Sequence, residues 1–135
     1  EHVDLYKAVH VERGNWTHDN QKWKFYGKKG RKLAELNLNK LLKLCQKNKI
    51  KFSLVIYPWP AQIFYNYDHS LHNEFWYDWS KKNNISLIDL FKYFDKDDPV
   101  KIINKMFIEG DIHWNKTGHR FVYDIMMKEY FYNYN

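Results

Sequence analysis

The residues best suited to chemistry lie together in the segment Gly110–His119, which reads GDIHWNKTGH. An Asp two residues before a His, in an irregular loop, can turn its carboxylate toward the imidazole and fix the tautomer of the ring. A His held in this way can remove a proton from a nucleophile or from water. Asp111 and His113 are therefore candidates for a catalytic pair.

The same segment allows two other interpretations. It could be the start of a helix, in which Asn115 or Thr117 caps the first turn and His119 packs locally. Asp111, His113 and His119 could also bind a metal, but three ligands at this spacing match no common zinc signature. We expect neither a metal nor a cofactor.

The elements that would position this loop follow from the pattern of apolar residues. Apolar residues at helical spacing predict helices over 29–48, 68–82 and about 115–130. Continuous apolar runs predict short strands, buried on both faces, at 51–57 and 85–90. The order helix, strand, helix, strand, loop, helix implies parallel strands joined by crossover helices, and hence an α/β fold.

The rest of the chain is less regular. Residues 1–27 are predicted to be an irregular lead-in with a short extended piece at 5–11, and residues 100–110 a loop or a short helix. Two strands make a thin sheet, because buried parallel strands need neighbours on each side. The pattern therefore looks like part of a larger doubly wound domain.

The segment 107–126, FIEGDIHWNKTGHRFVYDIM, resembles the last sequence block of SGNH/GDSL-type hydrolases. In that block an Asp and a His precede a Trp-Asn-x-x-Gly-His helix start. The resemblance covers roughly residues 28–131, and LVIYPWPAQI at 54–63 is similar to the strand and loop that usually follow the family's third block. Many members carry Asp-x-x-His, whereas Asp-Ile-His resembles the branch that includes alginate O-acetyltransferase-like proteins.

This resemblance implies that residues 28–135 are the C-terminal portion of a flavodoxin-like, SGNH-type domain, a partial doubly wound parallel sheet with flanking helices. It also implies a Ser-His-Asp site in which Asp111 orients His113 and His113 takes the proton of a serine. The expected activity is that of a serine esterase or O-acyltransferase acting on a small ester or an O-acylated carbohydrate.

The family's nucleophile is missing from the chain. No Gly-Asp-Ser block, oxyanion-hole glycine or Gly-x-Asn block occurs. The four serines, none of which follows a Gly-Asp pair, are Ser53, Ser70, Ser80 and Ser86. We expect the missing N-terminal half, or another chain, to supply the serine, and the chain alone to be inactive.

Four residues are predicted to contact substrate. Trp59 and Gln62 follow the first strand at its carboxyl end, where ligands bind in open α/β sheets. Trp114 and Asn115 follow the predicted catalytic His. Trp59 and Trp114 could stack on a sugar ring, although Trp59 could equally cover the edge of the sheet. The alternative function is a non-catalytic carbohydrate- or ligand-binding module with the same fold.

Composition narrows the class of protein. A chain of 135 residues that is 44% hydrophobic and 19% aromatic can fill a core, which excludes a disordered chain. Cys45 is the single cysteine, so no disulfide can form within the chain. A lone free thiol fits a reducing compartment or a cell envelope such as the periplasm, so the localisation stays open. No apolar run is long enough to span a bilayer.

Charge is concentrated in one segment. Residues 22–51 carry eleven Lys or Arg against one acid, Glu35, for a net charge of +10, whereas the remainder has a net charge of −4. Such a segment is most simply a solvated helix face, and a site for anions or a membrane surface is the alternative. No zinc-finger, recognition-helix or RNA-stacking signature accompanies it, so we expect no nucleic-acid partner.

Overall fold

The protein is a mixed α/β structure, mostly helical around one small parallel sheet. The computed structural model describes residues 2–65, 71–94 and 97–131. The helices are α1 (His2–Val9), α2 (Asn20–Lys22), α3 (Lys28–Lys47), α4 (Pro60–Phe64), α5 (Leu71–Lys82), α6 (Pro99–Met106) and α7 (Lys116–Phe131). The strands are β1 (Ser53–Ile56) and β2 (Ser86–Asp89). Two 3₁₀ helices span Glu12–Thr17 and Phe91–Tyr93, and a π-helical turn, Trp23–Gly27, joins α2 to α3.

The two strands pair in parallel, with Ser53 opposite Ser86 and Ile56 opposite Asp89. Successive side chains of a strand point to opposite faces, so the sheet divides the core in two. Val55 and Ile88 belong to a cluster formed with α1, α4, α6 and α7. Ile56 belongs to a second cluster, formed with α3 and α5. Helices therefore cover both faces of the sheet.

The main elements agree with the sequence predictions. The helices predicted over 29–48, 68–82 and 115–130 correspond to α3, α5 and α7, and the two predicted strands correspond to β1 and β2. The parallel pairing expected from the alternation of helices and strands is confirmed. The segment 100–110 resolves into α6, which Asp98 caps by accepting a hydrogen bond from the Lys101 N–H at 3.0 Å, followed by a loop. His69 and Ser70 lie outside the described residues.

The prediction for the lead-in is wrong, because residues 2–27 are largely helical. Leu5, Ala8 and Val9 follow the i, i+3, i+4 spacing of one helix face, which an extended strand could not bury together. Ala8 and Val9 are each only 2% exposed, and Val9 lies in the core cluster beside α6 and α7. Packing against the core therefore stabilises a helix of only eight residues, which would be marginal in isolation.

No helix within the described residues is both long enough and apolar enough to cross a membrane.

Leu90 is the most deeply buried side chain of the core, with 0% exposure, and it follows β2 directly. We expect Leu90→Ala to lower the free energy of unfolding by about 2–5 kcal/mol, because it removes buried apolar contacts and leaves a cavity. Urea unfolding followed by circular dichroism measures this change. Leu44→Ala is the matched control, since Leu44 is 58% exposed and its truncation should change stability by less than about 0.5 kcal/mol. An equal loss of unfolding free energy in the two variants would contradict the burial of Leu90 in the core.

Candidate functional site

Asp111 and His113 lie in the loop between α6 and α7, which the backbone closes at its base. Phe107 and Trp114 form an isolated antiparallel bridge across the two arms of the loop. One step further in, the Ile108 N–H donates a hydrogen bond to the His113 carbonyl at 2.9 Å. The predicted catalytic His is therefore held by its own backbone.

A tight turn forms the tip of the loop. The Asp111 N–H donates to the Ile108 carbonyl at 3.0 Å, and Gly110 occupies the third position of the turn with φ of 71°. This left-handed conformation is costly for residues with a Cβ and is typical of glycine in a type II turn. The turn brings Asp111 onto the arm of the loop that carries His113.

Asn115 ties the loop to both flanking helices. Its Nδ2 donates to the carbonyls of Lys105 and Phe107, each at 3.0 Å, and its Oδ1 accepts from the Gly118 N–H at 3.0 Å. Its backbone N–H donates to the Met106 carbonyl at 2.9 Å. Asn115 thus caps α7, as the helix-start interpretation expected. Both amide hydrogens and the amide oxygen are engaged, so the geometry gives no support to the predicted contact with substrate.

Gly118 allows α7 to begin close against the end of α6. A Cβ at Gly118 would lie 2.1 Å from the Met106 carbonyl oxygen and 3.0 Å from the Trp114 Cβ. Real Cβ atoms do not approach a backbone oxygen so closely, because the atoms would overlap. The Trp-Asn-x-x-Gly pattern therefore has a structural reason: it fixes the corner from which the loop extends.

The side chains of Asp111 and His113 are joined by a hydrogen bond, with 2.9 Å between Oδ1 and Nδ1. Asp111 Oδ1 also accepts from the Ile112 N–H at 2.6 Å. The contact with His113, followed by that with Ile112, lowers the pKa of Asp111 below its usual 3.8. An ionised carboxylate can only accept, so the proton of the neutral imidazole sits on Nδ1 and the lone pair is on Nε2.

His113 presents this free nitrogen to solvent. Its side chain is 67% exposed and that of Asp111 is 45% exposed. No described residue makes a hydrogen bond to His113 Nε2. The pair therefore has the arrangement of a general base with its orienting carboxylate, and its outer nitrogen is open to a reacting group.

The loop lies beside the carboxyl end of β1. The rings of Trp114 and Tyr57 are 4.7 Å apart, and Tyr57 directly follows β1. The centroids of the Trp114 and His119 rings are 5.7 Å apart, with the rings nearly perpendicular. Trp114 Nε1 is buried and has no hydrogen-bond partner within the described part of the chain. Trp114 is thus partly buried packing between the loop and the sheet.

An apolar cavity of about 280 Å³ lies beside β1 and α4. Trp59 and Gln62, both predicted to contact substrate, line it together with Tyr57. Gln62 is 7% exposed, and its Oε1 accepts a hydrogen bond from the Trp59 N–H at 2.8 Å. Trp114 and Asn115 do not line this cavity. The four predicted substrate residues therefore divide into two pairs, one at the cavity and one on the loop.

Sequence reasoning did not assign Trp16, Tyr57 and His72 to the site, although all three line the cavity. His72 and Trp76 are one helical turn apart on α5, a spacing that places both on the same face. Their rings meet at 6.1 Å, and the ring of Trp16 meets His72 edge-on at 4.9 Å. The helical spacing was the available signal for His72.

The described serines lie away from the loop. Ser53 and Ser86 are the first residues of their strands, at the end of the sheet opposite to Tyr57 and the loop. Ser80, on α5, is 2% exposed. Of these three side chains, none is hydrogen-bonded to His113. The described residues also contain no cluster of three acidic, His or Cys side chains that could hold a metal ion.

We expect Gly118→Ala to lower the free energy of unfolding by about 1–3 kcal/mol, because the added methyl group forces α7 away from α6. Gly30→Ala is the matched control: Gly30 lies within α3 with nothing near its absent Cβ, so alanine there should stabilise the protein by up to about 1 kcal/mol. Urea unfolding gives both values. Stabilisation by both substitutions would contradict the close corner at Met106.

Burial, followed by the charge of Arg31, lowers the pKa of His72 from 6.5 to about 4. Between these values the unfolded chain takes up a proton that the folded protein does not, so stability should fall as the pH drops from about 6.5 to about 4. The full loss of stability from this group is on the order of 3 kcal/mol. Urea unfolding at several pH values tests this. His72→Phe should flatten the decline, and an unchanged slope in that variant would contradict it.

Comparison with known proteins identifies no relative. No protein-family model matches the sequence, and no curated protein and no solved structure matches the chain.

Proposed function

We propose that the chain supplies the Asp-His pair of a Ser-His-Asp site in an SGNH/GDSL-like serine esterase or O-acyltransferase. The observation that carries this proposal is the hydrogen bond between Asp111 Oδ1 and His113 Nδ1, made on a loop beside the carboxyl end of β1. In open α/β sheets, ligands bind at the carboxyl ends of the strands. The Asp-His pair therefore lies where a substrate would bind, and its hydrogen bond is the one that a general base requires.

In the proposed reaction, His113 Nε2 takes the proton of a serine hydroxyl as the serine oxygen attacks the ester carbonyl. Asp111 stays ionised and stabilises the imidazolium that forms. His113 then returns the proton to the departing alcohol, which leaves an acyl-enzyme. Water or a sugar hydroxyl, deprotonated by the same nitrogen, attacks the acyl group and regenerates the serine.

The unpaired edge of β1 supports the proposal that the nucleophilic serine comes from outside the described residues. Within these residues β1 pairs with β2 alone. The other edge of β1 is therefore unpaired among the described residues, and a further parallel strand could pair there. A strand added there would end near Tyr57, and a loop after it would reach His113.

The cavity supports an ester with an apolar or ring-shaped group. Its walls include the rings of Trp16, Trp59 and Tyr57, on which a sugar or an acyl group could pack. Gly14 lets Trp59 lie close, since a Cβ at Gly14 would be 2.8 Å from the Trp59 ring. The same walls favour the second candidate, a non-catalytic carbohydrate- or ligand-binding module, in which the cavity alone would act.

Ester hydrolysis by the full-length gene product tests the proposal, with p-nitrophenyl acetate as substrate. We expect His113→Ala to lower kcat by about a hundredfold to ten-thousandfold, because a positioned general base contributes that much. Asp111→Asn should lower kcat by a similar order, because the amide no longer fixes the imidazole tautomer. His119→Ala is the matched control: His119 is exposed, lies on the same corner and packs on Trp114.

Equal turnover by the protein and its His113→Ala variant would contradict catalysis by the pair. If the protein has no esterase or acyltransferase activity, but its tryptophan fluorescence responds to an acylated sugar and Trp59→Ala removes that response, the binding module is correct instead. Activity of residues 1–135 alone would contradict a nucleophile from outside.

A further inference from the structure

Helix α3 is covered along one stripe only. Residues that are buried or partly buried recur on a single face, at Arg31, Glu35, Leu38, Asn39, Leu42 and Cys45. The Trp79 Nε1–H donates to Asn39 Oδ1 at 3.0 Å, and Leu42 joins the core cluster under α5. The other fourteen of the twenty residues of α3 are exposed.

The exposed side carries leucines that a solvated helix face does not require. Leu33, Leu41 and Leu44 are 52%, 44% and 58% exposed. At about 100° per residue they fall within one arc of about 80°, turned away from the buried stripe. A fourth exposed leucine, Leu36, is 49% exposed and lies on the lysine-bearing side of the helix. Scattered exposed leucines are ordinary, but three on one flank of a single helix form an apolar strip.

Lysines border this strip on one side. The same helical geometry places five exposed lysines in the neighbouring arc of about 80°: Lys29, Lys32, Lys40, Lys43 and Lys47. No acidic side chain in the described residues lies within ion-pair distance of them. They belong to the segment 22–51, whose net charge is +10. An apolar strip beside an unpaired row of lysines characterises helices that lie in a membrane interface.

We propose that the exposed face of α3 binds the surface of a membrane rich in anionic phospholipids. The helix would lie parallel to the bilayer, with the leucine strip entering the acyl boundary and the lysines reaching the phosphate headgroups. Charge complementarity selects this partner, since a second copy of the chain would bring two +10 segments together. The leucines count against a nucleic acid, whose phosphates would attract the lysines but leave the strip in water.

Flotation of the chain with lipid vesicles tests the proposal without any need for enzyme activity. We expect binding to vesicles with phosphatidylglycerol in phosphatidylcholine, and little binding to phosphatidylcholine alone. The variant Lys40→Gln/Lys47→Gln should bind the anionic vesicles about tenfold or more weakly, because each lysine near an anionic surface contributes substantially to binding. The variant Leu33→Asn/Leu44→Asn should also bind about tenfold or more weakly.

Two control variants remove an exposed apolar side chain or two exposed lysines elsewhere on the protein. Tyr77→Asn removes an aromatic ring that is 59% exposed on α5, and Lys81→Gln/Lys82→Gln removes two exposed lysines of the same helix. Both should bind as the parent does, and circular dichroism should show an unchanged helix content in every variant.

Three results would overturn the proposal. The first is the absence of binding to anionic vesicles. The second is binding to polyanions such as heparin that the leucine substitutions leave unchanged, which would assign the face to a soluble polyanion. The third is a dimer in analytical ultracentrifugation that Leu33→Asn/Leu44→Asn dissociates, which would assign the face to a second copy.

Discussion

One amide side chain holds the candidate site together. Asn115 bonds back to the last turn of α6 and forward to the first turn of α7, so the ends of two helices and the base of the loop share a single anchor. Without it, two partly buried polar groups, the Phe107 carbonyl and the Gly118 N–H, would lose a partner at the same corner, and such losses are costly. The position of the Asp-His pair depends on the conformation of its loop, which Asn115 and the Phe107–Trp114 bridge fix at the base.

The sequence predicted those parts of the fold that depend on local patterning. Leu38, Leu42 and Cys45 mark the buried stripe of α3, and the apolar runs mark β1 and β2. It failed for residues 2–27; in α1, for example, the helix buries Val9 against elements distant in the chain. Such tertiary packing overrides weak local preference and leaves little trace in a short window.

The candidate site, like the fold, was predictable only where it depends on local sequence. The pairing of Asp111 with His113 was predictable because side chains two residues apart in an irregular loop can reach each other without help from the rest of the fold. The division of Trp59 and Gln62 from Trp114 and Asn115 was not predictable, since it depends on tertiary packing: Trp59 and Gln62 line the cavity, and Trp114 packs on Tyr57 outside that lining. The doubly wound fold and the hydrolase function stay proposals, supported by the position of the loop at the carboxyl end of the sheet and by the resemblance of its sequence.

The short separation of Asp111 and His113 along the chain has a consequence for how a complete site would be assembled. Two peptide bonds link the residues, and the surrounding turn is closed by its own hydrogen bonds, so their mutual alignment costs little conformational entropy. A movement of the loop relative to the sheet would carry the orienting carboxylate and the base together as one rigid piece. To complete the site, only the position of this piece relative to the nucleophile has to be adjusted. Three separate residues would otherwise have to be aligned with one another.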